Sequence, residues 1–398
     1  MEFNQHNPNS VRDWILPIER VTPEDGHYFF GYFDKYQIDQ TERFLLVNKA
    51  HFMHRQPRAD DELELGLIDI ADNNSYHPLT KTYAWCWQQG CMLQWLPGGK
   101  STEFIYNDRR NGQFVAVKAD IERGELEVFP RPIYALSPDG KWALSVNFAR
   151  LAAERPGYGY EGVPDPWEDE LHPEEDGIYA MNLENGEYKL IISLDQLAHF
   201  PPNRRQPGDG KHWSNHLAVS PNCERFMFLH RWKITDGSYI TRFFTSDREG
   251  NNIRLLNDCN MTSHMGWIDD HRIIAFANRD HWGYYIFFDG SSEVREVGAG
   301  LFDDDGHCTC STDGRWMLTD TYWHPVTNER TLILYDMKKV VRYNLGYFWS
   351  DPNLPRPARC DLHPRWSRDE KMVTFDSLHE GFRGVYAMDI SSITTAMT

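Results

Sequence analysis

The chain has 398 residues, 40% of them hydrophobic and 14% aromatic, which is enough to bury a large core. Its net charge of -18 argues against nonspecific nucleic-acid binding, because a phosphate backbone is repelled except at a local basic patch. Seven cysteines, an odd number in a chain this long, do not read as a disulfide framework, and no 18-residue apolar run marks a membrane span.

In chain order, the N-terminal MEFNQHNPNSVRDW lacks a basic region followed by an apolar stretch, so the expected location is the cytoplasm. Residues 1–25 read as an N-terminal segment in which 14–21 forms a strand that pairs with the last sheet and closes a ring. From residue 26 a hydrophobic strand runs seven times into a tight polar turn and returns as a second strand. The turns fall at 39–43, 96–100 (LPGGK), 137–141 (SPDGK), 220–225 (SPNCER), 268–272 (IDDHR), 311–315 (STDGR) and 367–371 (SRDEK). Their basic residues are separated by 57, 41, 84, 47, 43 and 56 residues, the blade period of a propeller plus insertions. The fold expected for 26–398 is therefore all-β, a seven-bladed β-propeller of four-stranded antiparallel blades.

The interval of 84 residues exceeds one blade and is expected to carry a long loop insertion, about 150–211, between blades 3 and 4. It contains RPGYGYEG (155–162), an acidic run (165–176) and PPNRRQPGDG (201–210), and a loop over the pore is the expected placement. Helix is expected only near 149–154 and 193–199.

Counting back four residues from the last four turns gives His216, His264, His307 and His363. In a propeller the innermost strands converge on the axis, so side chains at one register position approach one another. The residues that follow each turn by one strand reach the same mouth, among them Asn147, Arg150, His230, Arg231, Arg279, Asp320 and Asp376. Neutral imidazoles there suit Zn or Mn, or a general base with an ordinary pKa of about 6.5. A single histidine in a strand is more often a satisfied, half-buried side chain; four in one register are harder to assign that way. Strand alternation puts His307 and Cys310 on opposite faces, and the HxxxH pair His212 and His216 falls on an expected loop-to-strand entry and not on a helix, so its spacing carries little. Tyr158 and Tyr160 either pack the insertion or meet a substrate. Trp213, Trp232, Trp267 and Trp282 suit sugar stacking or blade interfaces.

The segments SHMGW around His264 and DLHPRWS around His363 resemble the oligogalacturonate lyases, seven-bladed propeller polysaccharide lyases. His216, ahead of AVSPN, is placed like a family histidine, and FLHRW around His230 resembles a His-Glu-Gly segment, with Arg231 and Trp232 in place of Glu-Gly. Asp361 stands where the family has a second histidine, and Ala358 where it has a glutamine. The resemblance covers about 212–390.

It implies a metal-assisted β-elimination on uronic-acid-containing oligosaccharides, with a substrate other than oligogalacturonate itself. His264 and His363, joined by His307 and Asp361, are then the ligands of a divalent metal, Mn or Zn. His216 is the base; Arg231, Arg150 and Arg279 bind carboxylate; His230 and Asn147 bind substrate; Tyr158 or Tyr160 is the acid. The implied partner is an anionic oligosaccharide, with no nucleic acid and no membrane. The competing expectation is a noncatalytic propeller that binds a glycan or a protein.

Overall fold

Three turns repeat one set of hydrogen bonds, which explains why Ser-x-Asp recurs. Ser137 Oγ donates to Asp139 Oδ1 (2.6 Å), which also accepts from Lys141 N (3.1 Å), while Trp142 N donates back to Ser137 Oγ (3.1 Å). Ser311 with Asp313 and Ser367 with Asp369 make the same contacts. Each turn thus satisfies its own backbone and reverses the chain between the first and second strands of a blade.

A computed structural model describes residues 10–202, 208, 210–302 and 304–395. The seven expected blades form. Their first strands are His27–Phe29, Gln94–Trp95, Ala135–Leu136, His212–Val219, Thr262–Trp267, Thr309–Cys310 and Arg365–Trp366, each at one edge of an antiparallel sheet. Glu19–Arg20 pairs antiparallel with Gly384–Asp389 as the outermost strand of blade 7, and Val11–Asp13 adds a parallel fifth strand to blade 6. Blade 7 is thereby completed by residues from the opposite end of the chain, and a sheet edge is covered.

The core is a series of apolar layers between neighbouring blades. Met227, Leu229 and Phe243 of blade 4 pack on Ile273, Ala275 and Phe287 of blade 5, and Val385 of blade 7 meets Tyr28, Leu45 and Val47 of blade 1. Each of the larger aliphatic and Phe side chains contributes about 1.5–3 kcal/mol on burial, so every blade depends on both neighbours.

The 84-residue interval is not a single loop. Gly177–Asn182 and Tyr188–Ser193 are the third and fourth strands of blade 3, so the extra chain is split into 146–176 and 199–211. The first piece opens with helix α1 (Phe148–Glu154), and blade 3 ends in helix α2 (Leu194–Ala198), where the two helices were expected. Part of the Pro/Arg loop, 203–207 and 209, lies outside the described residues. No helix among the described residues is long and apolar enough to cross a membrane.

Candidate functional site

All four register histidines lie at one mouth of the ring. The inner strand of blade 4 slips register between Asn215 and Ala218, and that of blade 5 between Thr262 and Met265, so His216 and His264 stand on bulges. His307 and His363 just precede the first strands of blades 6 and 7. His216 (φ +53°) and His363 (φ +43°) take left-handed backbone that non-glycine residues seldom adopt. At all four positions the backbone leaves ladder pairing and turns the ring toward the axis.

The His264 and His307 ring centroids are 3.9 Å apart, His307 and His363 4.2 Å, and His216 and His264 6.1 Å. Exposures of 8%, 2%, 1% and 3% for His216, His264, His307 and His363 leave little water around any ring. At the centre is Tyr32, whose ring centroid lies 5.1–6.4 Å from those of all four. Its Oη is 2.7 Å from His216 Nδ1. Gly31 (φ +118°) lets this segment turn inward, since a Cβ there would sit 2.8 Å from the Gln89 carbonyl carbon.

Carboxylates behind the rings hold them. Asp320 Oδ1 accepts from the His307 backbone N (2.7 Å) and contacts His307 Nδ1 (2.8 Å), and Oδ2 accepts from the His363 backbone N (3.3 Å). His264 Nδ1 is 3.0 Å from Asp305 Oδ1. Arg365 ties the His363 carbonyl (2.7 Å) to Asp376 (2.7 Å), which in turn accepts from the backbone N of Phe30 and Gly31 (both 3.2 Å).

Burial, followed by the charges of Arg231 and nearby histidines, pushes the His216 pKa well below its ordinary value. Burial and then His307 lower His264 and His363 in the same direction. Asp361 is buried between Arg330 Nη2 (2.7 Å) and Arg359 Nε (2.8 Å); burial pushes its carboxyl up, but these two guanidiniums prevail and keep it ionised. Arg359 Nη2 also donates to Tyr158 Oη (3.0 Å), so the insertion reaches the mouth, with the Tyr158 ring 5.7 Å from that of His216.

Two further guanidiniums make no ion pair among the described residues. Arg231 is buried and donates to Thr241 Oγ1 (3.1 Å), Asn215 Oδ1 (3.2 Å) and the Thr262 carbonyl (3.3 Å). Arg155 lies 4.8 Å from the ring centroids of both Tyr158 and Tyr239, and its Nε has no hydrogen-bond partner among the described residues. Burial raises the Tyr239 phenol, but Arg231, Arg155 and Arg356 outweigh it, so its pKa falls below the ordinary value. Two guanidiniums that no carboxylate pairs with directly among the described residues suit an anion.

Five residues expected at the site are placed elsewhere or are already fully engaged. Arg150 donates to Asp165 and to the carbonyls of His212, Trp167, Glu170 and Leu171, clamping the insertion. Asn147 caps α1 and bonds Asp165 and Asp176. Tyr160 stacks on Phe148 (4.3 Å) with its Oη on Asn107. His230 pairs with His212 and Arg242, and Arg279 lies over Phe287 at the hairpin of blade 5. Trp213 and Trp232 are buried, Trp267 is half-buried, and Trp282 is exposed. A cavity of about 760 Å³ lined by Lys141, Trp142, Tyr188 and Arg248 lies on the outer side of blades 3 and 4 and includes none of the mouth residues.

The residues fit a divalent metal. His307 Nε2 and His363 Nε2 are buried without a hydrogen-bond partner among the described residues, and the carboxylate on His307 Nδ1 leaves Nε2 as the free donor atom. Ligand atoms of His307, Asp361 and His363 fall within 4.8 Å of one another. Asp361 is already committed to two arginines, so the imidazoles are the better donors.

No family model matches the chain, and no curated protein matches it in sequence. An oligogalacturonate lyase from Vibrio parahaemolyticus is similar in structure, with a TM-score of 0.67 at 15% identity over 94% of both chains. An oligogalacturonate lyase in complex with manganese gives 0.67 at 16% identity, over 94% of this chain and 93% of that one. The β-propeller domain of the Trilobed protease from Pyrococcus furiosus gives 0.53 at 11%, over 91% and 96%. At these identities the likeness is one of fold.

Proposed function

We propose that this protein is a metal-assisted lyase that cleaves uronic-acid-containing oligosaccharides by β-elimination. The observation that carries this reading is the meeting of His216, His264, His307 and His363 from four consecutive blades beside Arg155 and Arg231, two guanidiniums without carboxylate partners. The structural likeness to a lyase in complex with manganese supports it.

The C5 proton of a uronate is weakly acidic because its removal places charge next to an existing carboxylate. Arg231 and Arg155 supply fixed positive charge in a site with little water, where such charge is most effective. His264, His307 and His363 would hold the ion. When bound, a divalent ion supplies Lewis acidity toward the substrate carboxylate.

His216 is neutral at pH 7 and takes the C5 proton on Nε2, which requires the tautomer whose Nδ1–H donates to Tyr32 Oη. The C5–H electron pair becomes the C4–C5 double bond as the C4–O bond breaks. Tyr158, whose Oη accepts from Arg359, keeps its own hydrogen to give to the leaving oxygen.

The burial of all four rings favours the competing reading, a noncatalytic propeller that binds a glycan or protein. Incubation with uronic oligosaccharides separates the two. A lyase produces the ultraviolet absorbance of a conjugated unsaturated uronate, and His216→Ala abolishes it; a flat trace with every uronic oligosaccharide tried, manganese or zinc present, overturns the proposal.

A further inference from the structure

A second group of imidazoles meets where blade 3 gives way to blade 4. His172 comes from the first insertion piece, and Asp195 and His199 from α2 and its C-terminal cap, four residues apart and so on one helical face. Asp195 Oδ1 lies 2.8 Å from His172 Nδ1 and 3.1 Å from His199 Nδ1, and the latter is also 3.0 Å from the Asp195 carbonyl. The two rings stand at 89° with centroids 5.4 Å apart, and the three ligand atoms fall within 4.8 Å of one another. A cavity of about 260 Å³ opens beside them, lined in part by His172, His199, His212, Trp232 and Arg242.

The groups behind the cavity separate donors from wall. Arginine only donates, so His230 Nδ1 accepts from Arg242 Nη2 (3.0 Å), and His230 Nε2–H is donated to His212 Nδ1 (2.9 Å). Neutral His212 then keeps its hydrogen on Nε2 and has no free lone pair. His172, Asp195 and His199 are left as the three groups able to ligate.

Bonds of about 2.0–2.2 Å to a first-row divalent ion place adjacent donors roughly 3 Å apart, the spacing of the two Nδ1–Oδ1 edges here. Two imidazoles and one carboxylate are a borderline donor set that suits zinc, with remaining positions for water. We propose that His172, Asp195 and His199 form a second divalent-metal site of the zinc type, independent of the central histidines, that ties the insertion to the end of blade 3. Without metal both Nδ1 atoms face only oxygen acceptors and so carry the hydrogen; binding through Nδ1 shifts it to Nε2, with no net proton release when the imidazoles are neutral.

Titration calorimetry of the full-length chain with zinc chloride tests this. His199 is largely exposed, so His199→Ala leaves the core intact. Wild-type protein is expected to take up a zinc equivalent that His199→Ala and Asp195→Asn each weaken at least tenfold. That equivalent persists in His264→Ala and in a control, His77→Ala, at an exposed strand position. An isotherm for His199→Ala that overlays wild type, or a wild-type chain that takes up no zinc, overturns the proposal.

Discussion

Tyr32 Oη and His216 Nδ1, 184 residues apart in sequence, are 2.7 Å apart in space. One comes from the segment that follows the first strand of blade 1, the other from a bulge in blade 4, and the ring of Tyr32 fills the space between all four histidines. The contact sets the orientation of the imidazole proposed as the base.

Tyr32→Phe retains the packing and removes that hydrogen bond. Stability is expected to change by only about 1 kcal/mol, while kcat/KM falls about 10–100-fold because the tautomer of His216 is no longer held. Equal activity in the two proteins would show that the contact does not position the base.

Asp320→Asn replaces the carboxylate that faces His307 Nδ1 and the His363 backbone. Metal affinity is expected to drop about 10–100-fold, read by equilibrium dialysis with manganese. Unchanged affinity would remove His307 from the ligand set.

Arg155→Met keeps much of the side-chain volume and removes a guanidinium with no ion-pair partner among the described residues. The expected result is about a tenfold or greater loss of kcat/KM for uronic substrates and little effect on melting temperature. A large loss of stability with unaltered kinetics would make Arg155 a packing residue.

The buried histidines predict a pH dependence of stability. Burial lowers the folded pKa of His212 to about 3 and shifts His216, His230 and His363 in the same direction, whereas the unfolded value is about 6.5. Between the folded and unfolded values the unfolded chain binds more protons. Stability is therefore full above about pH 6.5 and falls below it, by up to about 1.4 kcal/mol per pH unit for each histidine. Urea unfolding of the metal-free protein at pH 7.5 and 5.5 measures this; equal midpoints would contradict the burial.

Gly159 lies against α1, where a Cβ would collide with the Ala152 nitrogen and the Phe148 carbonyl. Gly159→Ala is expected to cost about 1–3 kcal/mol and to expose 155–176 to limited proteolysis, because the insertion must lift from the helix. An unchanged cleavage pattern would show that the insertion is held by other contacts.

The ring was legible because the strand, polar turn and returning strand recur seven times and are written locally, three of the turns being Ser-x-Asp turns that satisfy their own backbone. The register of the four histidines was legible for the same reason: a fixed offset from a local turn carries a side chain to the same height in every blade. Tyr32 was not, since blade 1 has Lys35 four residues before its turn and the aromatic run 30–36 obeys no repeat. Arg155 was visible only as part of a glycine-rich stretch. Arg150 and Asn147 have the right residue types near the mouth, yet the insertion folds back and consumes their hydrogen bonds.

By itself, the sequence determined the blade count, the strand-and-turn pattern and which histidines share a height, because these depend on contacts within a few residues. Only the tertiary structure decided which charges are spent and which remain open. Whether a guanidinium meets a carboxylate depends on chain segments tens to hundreds of residues away, as Arg330 with Asp361 and Arg231 without one both illustrate.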